Sequence, residues 1–451
     1  MNKEPRLNKE SMKNLNKCRV LGVLDDGAAS LSQGALAHLA QAQLVIGGSR
    51  TLQLLAQDIS PQAEQRDLTG TLSQVPEWIR AALDEGRRVV VLATGDPLCH
   101  GIAAYLASRL CVEVIEVLPN VSTLQLACAR LCLPWQDMRF VSVHSGDAGE
   151  WVVGSAPSHG LYGLLRDLRL YDRLAVLTSP ANSPDRIARM LVSEGLDNDW
   201  EMAVVERLCQ PQERVVSGFS IEAATQMRFA ELNVVVLWRS TLRVSPVLFG
   251  LPDASFAQRH PEKGLITKNE VRAVSLARLQ LRQNSVVWDI GAGSGSVGLE
   301  AARLCAQGHV YAIEKNADDC ANVLQNRRAM GISNHSLVHG KAPEGLADWA
   351  DPNAVFIGGS AGELAALIGL VLQRLRPGGW LVMNFVTLEN MATAVETVKT
   401  LSANWDVVQL QASRSQPILQ MHRMAAENPV WIVCAQASPA ATTPEFEVTH
   451  V

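Results

Sequence analysis

The stretch Ser285–Ala302, SVVWDIGAGSGSVGLEAA, constrains the fold of this chain more than any other. The apolar run Val286-Val287-Trp288 leads into Asp289 and then into Gly291, Gly293 and Gly295, and a helical pattern starts at Val297. Apolar strand, glycine turn and helix form the unit by which an α/β sheet presents a nucleotide-like ligand at the carboxyl end of its first strand. Glycine lets the backbone turn tightly and approach a ligand where a Cβ would intrude. The pattern leaves two cofactors open, because Gly293-Ser294-Gly295-Ser296-Val297-Gly298 also fits the G-x-G-x-x-G of dinucleotide sites. A carboxylate follows at a telling distance. His309–Glu314 (HVYAIE) reads as a strand ending in an acid, about twenty residues past the loop, where a ribose-hydroxyl acceptor belongs.

A length of 451 residues exceeds one ordinary core and predicts two or three domains. Hydrophobic residues make up 47% and charged ones 19%, the balance of a packed enzyme rather than a disordered chain. The net charge of −5 disfavours a nucleic-acid partner, which selects for a basic stripe. Nine cysteines are scattered without a C-x-x-C, so neither a disulfide framework nor a metal site is expected. No apolar run reaches the length of about eighteen residues that a membrane span needs. The start is rich in Lys and Asn and lacks the apolar centre of a signal peptide, which predicts a cytoplasmic protein with a flexible tail over 1–17.

From Arg19 to Leu131 the sequence alternates strand and helix, which predicts a mostly parallel sheet. A Gly- and Ser-rich stretch over 145–160 then precedes a second α/β unit, whose closely spaced strands Met202–Cys209, Arg214–Gly218 and Asn233–Arg239 predict an antiparallel or mixed sheet. A cleft between the two subdomains is the expected ligand position. Pro246, Gly250 and Pro252 mark 241–252 as a linker. Domains are thus expected over 18–240 and 253–437, with a disordered tail over 438–451. Beyond the linker, strands Val310–Glu314, Ser336–His339, Ala354–Gly358, Trp380–Val386, Trp405–Gln411 and Val430–Ala435 follow the glycine-loop strand. Helices are expected between the first five of these. Seven strands, the last two joined without a helix, argue against a six-stranded dinucleotide domain.

Asp289-Ile290-Gly291-Ala292-Gly293-Ser294-Gly295 resembles the D-x-G-x-G-x-G signature of class I S-adenosylmethionine (SAM) methyltransferases. The N-terminal half resembles the tetrapyrrole (corrin/porphyrin) methylase family through Gly22…Asp25-Asp26-Gly27, Thr94-Gly95-Asp96-Pro97 with Gly101, and Pro119-Asn120-Val121-Ser122-Thr123. That resemblance implies a two-subdomain fold with SAM held against Thr94, Gly95, Asp96, Ser122 and Thr123. The plainer readings are a turn aspartate and a helix N-cap pair. The first turn departs from the family, since Leu24 puts a side chain where members keep glycine.

The C-terminal half resembles the cobalamin-pathway methyltransferases that also decarboxylate their substrate. Gly250-Leu251-Pro252-Asp253, Thr267-Lys268-x-Glu270-Val271-Arg272 and Phe356-Ile357-Gly358-Gly359-Ser360 carry the likeness. It implies a Rossmann-like, seven-stranded SAM domain with Thr267, Gly291, Ala292, Gly293, Ser294, Gly295, Glu314 and Ala342 as cofactor contacts. Lys341 stands where the family often has Asp. The two resemblances together imply SAM-dependent methylation of a precorrin at ring carbons 5 and 15, with loss of carbon dioxide from an acetate side chain. The partner is then a small-molecule tetrapyrrole, with no nucleic acid, membrane or metal, and a homo-oligomer is expected. A polycarboxylate substrate calls for cations, and Arg259, His260, Lys263, Lys268 and Arg272 are candidates, with a solvated basic segment as the plainer reading. His260, Lys268 and Glu389 are the candidate acid–base or catalytic groups. An RNA methyltransferase is the alternative, because the tetrapyrrole methylase fold also hosts RNA modification. It lacks the basic charge and the Asn/Asp-Pro-Pro-aromatic motif. A nicotinamide oxidoreductase or a non-catalytic nucleotide-binding module is the third reading.

Overall fold

The computed structural model describes residues 17–241, 246–259, 266–360 and 362–437. They divide into two compact units. One holds the described residues up to Asp147 with Tyr171–Arg189 and Asp197–Thr241, and the other holds Ala148–Leu170, Met190–Leu196 and the described residues from 246 onward.

The first unit contains two five-stranded sheets. Strands β1 (Cys18–Val23), β2 (Leu44–Gly47), β3 (Glu64–Asp67), β4 (Val89–Thr94) and β5 (Ile115–Leu118) form a parallel sheet in the order β3-β2-β4-β1-β5. Apart from β3 its strands are largely apolar, because helices cover both faces. Val75, Ile79 and Leu106 pack on one face with Val20 and Val91, and Leu39, Leu52 and Leu55 pack on the other with Leu21 and Leu92. The second sheet is mixed, as its short turns predict. Its strands are β6 (Arg139–Ser142), β7 (Arg173–Leu177), β8 (Trp200–Glu206), β9 (Arg214–Val216) and β10 (Asn233–Arg239), in the order β6-β7-β10-β8-β9, and only β6 and β7 run parallel.

The second unit is built on seven strands: β11 (Val286–Ile290), β12 (His309–Glu314), β13 (His335–His339), β14 (Ala354–Ile357), β15 (Trp380–Phe385), β16 (Asn404–Leu410) and β19 (Val430–Gln436). Their order is β13-β12-β11-β14-β15-β19-β16, and β19 lies antiparallel to both its neighbours. This insertion distinguishes the sheet from an all-parallel dinucleotide-binding one. Apolar cores cover both faces here too.

Three features differ from the sequence reading. No helix joins β13 to β14, because Gly340, Pro343 and Gly345 interrupt any helical run in that connection. Strand β3 reads Glu-Gln-Arg-Asp and pairs as a polar edge strand, so it carries no apolar signal. A hairpin of β17 (Ser413–Ile418) and β18 (Met421–Ala426) stands between β16 and β19. Its alternation is lost because both faces are largely exposed and Pro417 sits within it. Among the described residues no helix is long and apolar enough to cross a membrane, and no group of His, Cys, Asp and Glu is arranged to hold a metal ion.

Candidate active site

Asp289 ends the first strand of the seven-stranded sheet fully inside the protein, 1% exposed. Its Oδ2 accepts the Gly298 N–H at 3.0 Å, so the strand-end carboxylate satisfies a first-turn donor of helix Ser296–Leu304 that has no intrahelical partner. Its Oδ1 has no hydrogen-bond partner among the described residues. Burial pushes this carboxyl up to about 7, against the lowering effect of the Gly298 bond and with the help of nearby Glu314.

Gly291, Gly293 and Gly295 all take left-handed φ values, of 72°, 56° and 75°. At Gly291 the need is also one of space, since a Cβ there would stand 2.5 Å from the carbonyl oxygen of Gly359. The loops after β11 and β14 therefore touch. Ala292 belongs to the turn, its N–H donating to Ile313 O and its carbonyl accepting from Gly295 N. Ser294 is buried, and its Oγ has no partner among the described residues. Glu314 reaches back to the loop, Oε2 accepting the Gly293 N–H at 2.9 Å and Oε1 the Asn316 N–H at 2.9 Å. The sequence-predicted residues 289–295 and 314 thus form one cradle, with two buried polar atoms lacking partners. A ligand carrying hydrogen-bonding groups fits such a site. Ala342 is buried at the carboxyl end of β13, and the neighbouring Lys341 is exposed and pairs with Glu363.

The segment before helix Asn269–Arg278 is stitched to the cradle. Asn326 Oδ1 accepts the Ala257 N–H at 2.7 Å, while its Nδ2 donates to the carbonyls of Ala257 and Ser294 at 2.9 Å each. Arg259 pairs with Asp319 at 2.7 Å. His260 and Lys263 lie outside the described residues.

Arg272 corrects the sequence reading. It is fully buried and cannot serve as an accessible carboxylate clamp. Its guanidinium binds Glu300 at 3.1 Å, Asp253 at 3.2 Å, the Thr267 carbonyl at 2.6 Å and the Leu251 carbonyl. Glu300, equally buried, also accepts the Gly250 and Leu251 N–H groups at 2.9 Å. These residues fasten 250–253 and Thr267 to helices Asn269–Arg278 and Ser296–Leu304.

Lys268 directly precedes helix Asn269–Arg278, is half-buried, and makes no ion pair among the described residues. The far end of that helix pairs through Arg278 with Asp406, near the start of β16. Strand β16 runs parallel to β15, since each is antiparallel to β19. Lys268 therefore lies at the carboxyl edge of the sheet, as the cradle does. Glu389 is exposed in the first turn of helix Leu388–Thr400, beside the exposed Val386 and Leu388.

The first unit builds a second cradle, also at the carboxyl ends of strands. A Cβ on Gly22 would stand 2.2 Å from Gly95 O, and Gly95, with φ of 65°, packs against the Thr123 backbone. Asn120 Nδ2 ties the carbonyls of Gly22 and Ser30 together at 3.2 and 3.1 Å. Thr94 is exposed at the rim. Asp96 Oδ1 accepts the Leu98 N–H at 2.9 Å, which makes it a turn aspartate. Ser122 caps helix Thr123–Arg130 in a reciprocal box with Gln125. The plainer reading of both residues thus holds, and they still line the strand-end loops. Leu24 is buried, 7% exposed. Asp25, by contrast, accepts from Arg50 Nη1 and Gln210 Nε2 at 2.6 Å each. The sequence carries no local signal for Gln210 or Asn326 as partners, because each works across a long stretch of chain.

Residues 18–224 match the Tetrapyrrole (Corrin/Porphyrin) Methylases family, and residues 258–436 match the Precorrin methyltransferase domain. Over 404 residues the chain is 32% identical to the precorrin-6Y C(5,15)-methyltransferase (decarboxylating) of Sinorhizobium sp, covering 88% of this chain and 91% of that protein. The chain belongs to the precorrin-6Y C(5,15)-methyltransferase (decarboxylating) family. A Mycobacterium tuberculosis member is 30% identical over 385 residues, 85% of this chain and 90% of that protein. A shorter relative from Salmonella typhimurium, named cobalt-precorrin-6B C(15)-methyltransferase (decarboxylating), is 39% identical over 172 residues, 38% of this chain and 88% of its own length. The family's two-part build thus corresponds to two glycine cradles in one chain.

Proposed function

We propose that this enzyme uses SAM to methylate precorrin-6Y at ring carbons 5 and 15 and removes carbon dioxide from an acetate side chain, within cobalamin synthesis. The observation that carries this reading is that similarity to the Sinorhizobium enzyme spans 88% of this chain and 91% of that protein. Transfer to carbon 5 is assigned to 18–240, and transfer to carbon 15 with decarboxylation to 253–437. The shorter relatives support that division, since the Salmonella protein is named for carbon 15 and decarboxylation and matches a span the size of the second domain.

SAM supplies a methyl group already activated by its sulfonium. Chemistry of this kind depends chiefly on alignment and on the exclusion of water. Gly291, Ala292, Gly293, Ser294 and Gly295 would hold the cofactor by close backbone approach, with Asp289 Oδ1 and Ser294 Oγ free to take hydrogen bonds. Glu314 would receive the ribose hydroxyls, and Thr267 and Ala342 would flank the cofactor. In the first domain Thr94, Gly95, Asp96, Ser122 and Thr123 have the corresponding role. Lys268, at the carboxyl edge and without an ion pair among the described residues, is suited to hold a substrate carboxylate. Exposed Val386 and Leu388 offer an apolar ledge to the macrocycle, with Glu389 beside it as the acid–base candidate. The RNA methyltransferase reading gains no support, because the loop after β14 is Gly358-Gly359-Ser360.

Replacing Gly293 with Trp tests the division of labour. The variant should yield a singly methylated product that keeps its acetate carboxyl. A product that had lost carbon dioxide would overturn the assignment.

A further inference from the structure

The second unit takes in two pieces of the chain's first half, Ala148–Leu170 and Met190–Leu196. Both lie within the residues that match the tetrapyrrole methylase family. They meet the methyltransferase sheet at its β12–β13 edge through a seam of linked polar groups. Ser336 Oγ donates to the Gly154 carbonyl at 2.7 Å. Its single proton is thereby committed, so at 2.9 Å it accepts from His309 Nε2. His309 is then the Nε2–H tautomer, and its Nδ1 accepts the Tyr162 hydroxyl at 2.7 Å. Burial, with help from the Arg327 charge, pushes the His309 imidazole down to about 3, which keeps it in the neutral form this chain of bonds requires.

Beside the seam lies an ion pair drawn from both halves of the sequence. Glu194 and Arg327 approach to 3.5 Å, and each side chain is only 3% exposed. The Trp151 indole N–H donates to the same Glu194 carboxylate at 2.9 Å. A buried charge without a partner is strongly destabilising. Arg327 on the methyltransferase side is therefore unsuited to a free surface, and its partner is supplied by a segment more than a hundred positions earlier.

We infer that the β12–β13 edge of the methyltransferase unit is a docking surface whose occupant is this chain's own segments 148–170 and 190–196. The linker near Pro246 is then not what holds these segments in place. A chain cut there stays associated through the Tyr162–His309–Ser336 seam and the Glu194–Arg327 pair.

The test uses the full-length protein with a site-specific protease sequence inserted at Pro246. After complete cleavage, the two pieces should co-elute on size exclusion in both low and high salt, because a buried ion pair is little screened. Two folded pieces eluting separately would overturn the inference. Glu194→Gln should weaken association of the cut pieces by at least about tenfold, since it leaves Arg327 buried without its counter-charge. Tyr162→Phe, which keeps the ring and removes only the donor, should weaken it less. Unchanged association in both variants would equally overturn the inference. The readout is association, so it stands apart from any result on the reaction.

Discussion

The backbone N–H of Gly298 donates to Asp289 Oδ2 at 3.0 Å, and a Cβ on Gly298 would stand 2.3 Å from that oxygen. The first turn of the helix is pressed against the strand-end acid too closely for any side chain. Gly298→Ala must push the carboxylate or the helix aside, at a cost of about 1–3 kcal/mol for overpacking a tight core. Denaturant unfolding should show that loss, and calorimetry should show weaker SAM binding. A variant unchanged in both would refute the cradle geometry.

Asp289 should also make cofactor binding pH-dependent. Its carboxyl is held near 7 by burial, above its ordinary value of 3.8. A raised acid pKa means the folded state binds the extra proton, so this contribution to stability is complete below about 4 and is lost as pH rises through about 7. A cationic cofactor favours the ionised form. SAM affinity should therefore climb as pH rises toward 7, by up to about tenfold per unit, while Asp289→Asn flattens the profile. Titration calorimetry across this range checks it, and a wild-type profile as flat as the variant's would count against the assignment.

Arg272 and Glu300 form an ion pair with both side chains 0% exposed. Removing one partner leaves an uncompensated buried charge and should cost about 3–5 kcal/mol. Arg272→Met combined with Glu300→Met should be less damaging than the sum of the single changes. A double-mutant cycle by chemical denaturation measures the coupling, and additive losses would show that the two charges do not act as a pair.

His309 and His335 are buried, and burial pushes both imidazoles down to about 3, with Arg327 adding to the effect. A depressed folded-state pKa means their contribution is present above the ordinary value of 6.5 and is lost as pH falls toward 3. Each group adds a slope of about 1.4 kcal/mol per pH unit in that window. Acid unfolding of the wild type should be steeper below pH 6 than that of His309→Gln, as followed by thermal melts.

The glycine cradle was legible because its signal is local. Asp289, the three glycines and Glu314 follow one another along a strand, a turn and the next strand, with apolar runs that state the period. The seven strands were legible for the same reason. Arg272 was not, because a basic residue near a helix start reads alike whether it faces solvent or Glu300. Asn326 and Gln210 act across long separations, which pattern does not encode. The polar strand β3 and the exposed hairpin β17–β18 bury too little apolar surface to leave a hydrophobic trace. The absorption of 148–170 into the methyltransferase unit depends on partners such as Tyr162 and His309, 147 positions apart.

Incubation of the purified enzyme with precorrin-6Y and isotopically labelled SAM, followed by mass analysis, tests the central claim most directly. The predicted product carries two labelled methyl groups and has lost one carbon dioxide. A product with two methyl groups and every carboxyl retained, or no labelled product from a protein that binds SAM, would contradict it.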